Sequence, residues 1–215
     1  MSDVPELYNQ VQEWNRQIFL FEAALKQVNC KIDILNQEFM QLEGSTPIEH
    51  VNSRLKTPES IVKKLKRHGV EVSIPNMMNV LSDIAGIRII CSFTSDIYRI
   101  AERISNQKDI TVVRIKDYIK NPKPNGYKSY HMVITVPVYL TEGPVDTKVE
   151  IQIRTVAMDF WASLEHKILY KFEGAGPVSL QKELKNCADM VDMLDEKMYS
   201  LNKEILEWNR TQKHN

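Results

Sequence analysis

The amino-acid sequence predicts an α/β protein of the α+β kind: a mixed sheet of four or five strands with helices before, between and after it. Three observations carry this. Lys148 to Thr155 alternates strictly, with Val149, Ile151 and Ile153 on one side of an extended strand and Lys148, Glu150, Gln152 and Arg154 on the other. Asp83 to Cys91 holds a continuous apolar run, as a central strand covered on both faces requires. Two long stretches, one towards each end, place apolar residues at unbroken steps of four and three.

A chain of 215 residues suits one domain with a sizeable core. Lys and Arg total 28, as do Asp and Glu, so net charge points to neither nucleic acid nor a membrane surface. Cys30, Cys91 and Cys187 are scattered, odd in number and without CxxC spacing, which favours reduced thiols over disulfides or a zinc site. The first residues lack the basic start and apolar run of a signal peptide, and no apolar run is long enough to span a bilayer. The expectation is a cytoplasmic protein with no membrane partner.

In chain order, the first seam runs through Leu7, Val11, Trp14, Ile18, Phe21, Leu25, Val28, Ile32, Leu35, Phe39 and Leu42. No Gly or Pro interrupts Glu6 to Glu43, so one long amphipathic helix or two stacked ones is expected, ended by Gly44-Ser45-Thr46-Pro47. Thr57-Pro58-Glu59 starts the next helix with an N-cap, a proline and an acid in the first turn. There Ile61, Val62 and Leu65 form the inner stripe, while Ser60, Lys64 and Arg67 share another face. Arg54 to Arg67 holds six cations and one acid, suited to a polyphosphate or to a solvated basic face.

An Asp at the mouth of the Asp83–Cys91 strand and Arg88 inside it are costly to desolvate unless paired or ligand-bound. A helix follows with Asp96, Tyr98 and Arg99 outward and Ile97, Ile100 and Ile104 inward. The strand from Ile110 to Ile119 puts Arg114 and Lys116 on one face, Val113 and Ile115 on the other. Two prolines and Asn125-Gly126 then stiffen a turn decorated by Lys120, Lys123 and Lys128, with Tyr127 at its exit. A ring among lysines suits base stacking beside phosphates, and a basic hairpin tip reads the same way. Tyr127, Ser129 and His131 share one strand face. A strand continues through Pro137, Glu142-Gly143-Pro144 turns the chain, and the alternating strand leads into a helix from Thr155 to Tyr170. The second seam, Leu180, Leu184, Cys187, Val191, Leu194, Met198, Leu201, Ile205 and Trp208, predicts a last helix. The two seams exceed what one small domain needs, which points to a helix-mediated homo-oligomer.

Two acids at strand positions, a field of cations and an aromatic loop suit metal-assisted chemistry on nucleotides. No Gly-rich loop ending in Gly-Lys-Ser/Thr occurs, which sets aside a P-loop NTPase. The motifs Asp83-Ile-Ala-Gly-Ile-Arg88, Lys-Pro-Asn-Gly-Tyr-Lys-Ser-Tyr-His131, Glu150-Ile-Gln-Ile-Arg-Thr155 and Phe160-Trp-Ala-Ser-Leu-Glu-His-Lys167 together resemble the synthetase domain of the RelA/SpoT family, over roughly Pro47 to Tyr170. None of the five histidines precedes an Asp, so the hydrolase pair of the family's long members is not seen, and the resemblance is to its stand-alone small alarmone synthetases.

The resemblance implies a mainly antiparallel five-stranded sheet of nucleotidyltransferase-like type. It implies one synthetase domain over 1–215: an N-terminal helical segment 1–45, a catalytic core 46–172 and a C-terminal helix 178–210 used in oligomerisation. It further implies pyrophosphate transfer from ATP to the 3′-hydroxyl of GDP or GTP, giving (p)ppGpp and AMP with Mg²⁺. Asp83 matches the Mg²⁺ ligand, and Glu150 the acid that activates the hydroxyl and helps hold the metal. Arg54, Lys56, Ser60, Lys64, Arg67 and Arg88 match the ATP side. Tyr127 matches the ring on guanine, and Lys116, Lys123 and His131 the contacts to acceptor phosphates. Gln152, Arg154, Glu165 and His166 lie in matching motifs, and Asp159 stands where a relative has Asn near guanine. Arg114-Ile-Lys116-Asp117 matches the basic form of a motif tied to metal dependence and acceptor choice. Relatives of this size are commonly homotetramers, and RNA stays open as a partner. Two other readings are a nucleotide or RNA sensor without turnover, and a templateless nucleotidyltransferase; the latter usually carries Gly-Ser followed by Asp-x-Asp, and only Gly44-Ser45 is present.

Overall fold

A computed structural model describes residues 3–170 and 177–212. Helix α1 (Asp3–Glu43) is one continuous helix and stops at Gly44, whose φ of +69° suits a residue without a Cβ. After it come β1 (Ile48–Leu55), α2 (Pro58–Arg67), α3 (Ile74–Val80), β2 (Ala85–Cys91), α4 (Thr94–Ser105), β3 (Thr111–Asp117), β4 (Tyr130–Leu140), β5 (Gly143–Thr155), α5 (Val156–Tyr170) and α6 (Val178–Gln212).

The strands form one five-stranded sheet in the order β1-β2-β5-β4-β3. Only the central β2–β5 pair is parallel; the other three pairs are antiparallel. The alternation in β5 does what its period demands. Val149, Ile151 and Ile153 are fully buried, together with Ile87 and Ile89 of β2 and Met132, Ile134 and Val136 of β4. One cluster joins them to Leu20, Phe21, Ala24, Leu25, Val28, Ile32, Leu35 and Phe39 of α1 and to Ile97, Ile100 and Ile104 of α4. At roughly 1.5–3 kcal/mol per large apolar side chain, this contact dominates the stability of the fold. It also leaves the polar face of β5 as the face on which a site can be built.

The structure departs from expectation in three places. Strand β1 was not foreseen: Ile48, Val51 and Leu55 step by three and four like a helix, because a register shift between Ile48 and His50 resets the alternation. The short helix α3, capped by Ser73, was also missed. Asp96 points inward and is only 8% exposed, because its carboxylate accepts the Phe93 N–H at 3.2 Å and caps α4. On the edge strand β3, Val113 and Ile115 are exposed, and a register shift falls between Val112 and Arg114. The second seam docks in part: Leu184 is buried on α6, as is Ala188 beside the seam, whereas Cys187, Leu194, Met198, Leu201, Ile205 and Trp208 are exposed.

Candidate functional site

Sheet register assembles the site. Across the polar face, Arg54 pairs with Gly86, Gly86 with Glu150, Glu150 with Val133, and Val133 with Arg114. The adjacent row runs Asn52, Arg88, Gln152, His131, Lys116. Each row thus places a cation near either edge and a polar group of β5 at the centre. Gly86 keeps the floor beside Glu150 open: a Cβ there would meet nothing nearer than Arg54, at 3.9 Å.

Asp83 stands just before β2. The Lys56 N–H donates to the Ile84 carbonyl at 2.8 Å, which ties the end of β1 to this point. Two ammonium groups then converge on Asp83 Oδ2, Lys64 Nζ at 2.6 Å from α2 and Lys56 Nζ at 3.0 Å. Burial pushes the Asp83 carboxyl up, but Lys64 and Lys56 outweigh it and hold its pKa below the usual value. Its Oδ1 is buried without a hydrogen-bond partner. A buried carboxylate oxygen with no donor is suited to a cation. Among the described residues no group of three His, Cys, Asp or Glu gathers around one point. That donor set fits Mg²⁺, which takes one or two carboxylates and fills its remaining positions with phosphate oxygens and water.

Glu150 is held from two sides. Its Oε2 accepts from Gln152 Nε2 at 3.0 Å, and its Oε1 lies 3.6 Å from His131 Nδ1. Burial raises this carboxyl as well, and the contacts to His131 and Gln152 more than offset it, leaving the pKa below the usual glutamate value. Glu150 is therefore ionised and oriented.

Two cavities flank these acids. The first, about 130 Å³, is lined by Arg54, Arg88 and Ser53; the second, about 280 Å³, by Lys64, Arg114, Lys116, Lys123 and His131. Asp83, Glu150 and Gln152 line both. Two cation-lined spaces share one pair of carboxylates.

At the C-terminal end of β5, Arg154 is 5% exposed and fully engaged. Its guanidinium donates to Ser129 Oγ at 3.2 Å, Gln152 Oε1 at 2.8 Å, Asp159 Oδ1 at 3.1 Å and the Tyr127 hydroxyl. The Tyr127 oxygen also sits 2.8 Å from His131 Nε2. A continuous chain of hydrogen bonds thus runs from Tyr127 through Arg154 and Gln152 to Glu150. Lys123 Nζ lies 4.6 Å from the Tyr127 ring centroid, and Tyr118 packs edge-on against both Tyr127 and His131. Asp159, on α5, bridges Arg154 and Arg88, the latter at 3.3 Å. Burial and then the neighbouring Arg154 lower the Arg88 pKa.

Of the residues singled out from sequence, Arg54, Arg88, Lys64, Lys116, Lys123, His131, Asp83, Glu150 and Gln152 line the two cavities. Lys56 joins through Asp83, and Tyr127, Arg154 and Asp159 through the hydrogen-bond chain. Ser60, Arg67, Glu165 and His166 line neither. The Ser60 hydroxyl accepts from Thr57 at the start of α2, Arg67 is exposed in its last turn, and Glu165 accepts from Asn125 Nδ2 at 3.0 Å. Lys128 does not face the cavities: it pairs with Asp192. Asn52, Ser53, Ser82 and Tyr118 also line the cavities and are not among the residues expected from sequence. Their only signal was adjacency, as Ser53 to Arg54 or Ser82 to Asp83.

The family described as a region found in RelA/SpoT proteins matches residues 53–175. The chain is 45% identical to the GTP pyrophosphokinase YwaC of Bacillus subtilis (strain 168) over 205 residues, covering 95% of this chain and 98% of that protein. Its fold superposes on small alarmone synthetase 2 from Bacillus subtilis with a TM-score of 0.80 at 48% identity, covering 89% and 99% of the two chains. Small alarmone synthetase 1 from the same organism, bound to its product pppGpp, gives a TM-score of 0.82 at 34% identity, covering 90% and 98%.

Proposed function

The chain belongs to the RelA/SpoT family and is a GTP pyrophosphokinase, and we propose that it makes (p)ppGpp by carrying the β- and γ-phosphates of ATP to the 3′-hydroxyl of GDP or GTP, with AMP released. One observation supports this above the others: two cation-lined cavities meet at Asp83, Glu150 and Gln152. A transfer between two polyphosphates needs two such spaces and one shared set of acids.

ATP takes the Arg54 and Arg88 side, with Lys56, Ser60 and Arg67 along the approach, and Lys64, which lines the other cavity, joins it at the shared Asp83. The acceptor takes the other side, its phosphates against Lys116, Lys123 and His131 and its guanine on Tyr127. Gln152 and Asp159 offer polar contacts near the base, Arg154 organises them, and Glu165 and His166 lie on the outer part of α5. The 3′-oxygen bonds to the ATP β-phosphorus, the bond from that phosphorus to the α–β bridging oxygen breaks, and its electron pair leaves on AMP. Glu150, ionised and oriented by Gln152, takes the hydroxyl proton. Lys56 and Lys64 hold the Asp83 carboxylate in place. Asp83 and Glu150 would hold Mg²⁺, which would supply neutralisation of phosphate charge. The rest of the rate comes from bringing two nucleotides into line.

We place the whole of 1–215 in one synthetase domain: helical segment 1–45, catalytic core 46–172 and C-terminal helix 178–210. No helix among the described residues is long and apolar enough to cross a membrane. A cytoplasmic enzyme is proposed. The exposed apolar stripe of α6 supports self-assembly, with a homotetramer the form its family resemblance suggests.

The test is chromatographic separation of products from labelled ATP mixed with GDP, GTP or neither, with Mg²⁺. A more highly phosphorylated guanine nucleotide appearing with an equal amount of AMP is the expected result. Nucleotide binding without AMP would reduce the protein to a sensor.

A further inference from the structure

Helix α6 lies outside the two cavities, yet it touches the loop that presents Tyr127 at three points. The first is steric. Gly126, at φ +88°, presses its backbone against α6 so closely that an added Cβ would lie 2.5 Å from Ala188 Cβ and 3.0 Å from Lys185 Cδ. The second is ionic: Lys128 Nζ meets Asp192 Oδ1 at 2.5 Å, with side chains 23% and 32% exposed. The third is apolar, since Tyr127 packs against the cluster of Trp161, Leu184 and Ala188.

α6 is itself anchored to the end of β5 and to α5. Thr155 Oγ1 donates to Asp195 Oδ2 at 2.8 Å and accepts from Met158 N at 3.1 Å; Trp161 Nε1 donates to the Leu184 carbonyl at 2.9 Å. The loop is therefore pinned on both sides of Tyr127, at Gly126 and at Lys128, to a helix fixed to the catalytic strand. Within the loop, the Lys123 N–H donates to the Tyr127 carbonyl at 3.2 Å, so Lys123 moves with the ring.

We infer that Ala188 and Asp192 on α6 are positioning residues for the acceptor nucleotide, setting the place of Tyr127 and Lys123 through the seat they give Gly126 and Lys128. This rests on the assignment of the acceptor to that cavity. It assigns Lys128 to holding the loop, not to phosphate contact. It also makes an ion pair outside both cavities a determinant of acceptor binding, since Ala188 and Asp192 seat the loop on either side of Tyr127.

The experiment compares wild type, Asp192→Asn, Lys128→Met and the charge-exchanged double variant Lys128→Asp/Asp192→Lys. KM is measured separately for ATP and for GDP, alongside melting temperature and titration with a fluorescent GDP analogue. Each single variant is expected to raise the GDP KM and the analogue Kd by roughly fivefold to thirtyfold, with the ATP KM unchanged. The double variant recovers part of that loss. As a second, steric probe, Ala188→Leu pushes Gly126 outward and raises the GDP KM in the same selective way. Unchanged GDP parameters in both singles, or equal rises for GDP and ATP with a lowered melting temperature, overturn the inference. A wild-type protein that forms no (p)ppGpp overturns the functional assignment instead.

Discussion

Lys64 gives its ammonium to one oxygen of Asp83, at 2.6 Å, and the other oxygen of that carboxylate stays buried without a partner. A carboxylate serving only an ion pair would present both oxygens to donors or to water. This one is half committed to holding its position and half open to a cation.

Asp83→Asn and Glu150→Gln should therefore abolish turnover while sparing the fold. We expect kcat to fall by at least ~10²–10⁴-fold for Glu150→Gln, the usual size of a general-base contribution. Both melting temperatures should stay within about 4 °C of wild type, equivalent to roughly 1 kcal/mol in a small domain. Melting followed by circular dichroism checks the second point; unfolding of either variant would make these carboxylates structural.

The pH dependence follows from the direction of both shifts. Asp83 and Glu150 titrate below their usual values of 3.8 and 4.5. Folded protein thus binds these two protons less readily than unfolded protein. Their stabilisation is complete above the usual values and is lost as pH falls through the lower, folded ones. Glu150 stays ionised over the neutral range, so the acid limb of kcat/KM should lie below pH 4.5. A limb attributable to Glu150 near neutrality, shown by its loss in Glu150→Gln residual activity, contradicts this.

Tyr127 combines a ring with a hydroxyl that does separate work. Tyr127→Ala should raise the acceptor KM by roughly 5- to 150-fold, the worth of one base–aromatic stack. Tyr127→Phe keeps the ring and loses the bonds to Arg154 and His131, a smaller loss of roughly 2- to 12-fold. Steady-state kinetics with GDP varied at saturating ATP separates the two.

The outer stripe of α6 leaves Met198 52% and Ile205 58% exposed. The double variant Met198→Glu/Ile205→Glu should lower the molar mass in light scattering while changing the melting temperature of the core by only a few degrees, roughly 1 kcal/mol or less. An unchanged mass places the assembly surface elsewhere.

The sequence carried the parts of this architecture that depend on local period. Val149, Ile151 and Ile153 could be assigned to one face because nothing competes with a strict alternation, and Thr57-Pro58-Glu59 started α2 as its cap chemistry demands. What stayed illegible depends on register. Arg54 reads as a cation before a helix until β1 is known to pair with β2, which sets it in one row with Glu150. The pairing of Asp159 with both Arg88 and Arg154 likewise depends on how the strands and α5 come together. The same holds for Lys128, which looked like one more loop cation until Asp192, 64 positions later, was found beside it.

The contact between Gly126 and Ala188 also fixes an order of events during synthesis. A chain leaves the ribosome N-terminus first and domains acquire structure as they emerge. All five strands and both carboxylates precede residue 156, so they leave the ribosome ahead of every residue of α6. The turn that carries Tyr127 lacks its seats at Gly126 and Lys128 until Ala188 and Asp192 appear. With Tyr127 assigned to the acceptor as proposed, acceptor recognition is thus among the last properties the nascent polypeptide gains, and an incomplete product ending before α6 would hold both acids beside an unfinished Tyr127 loop.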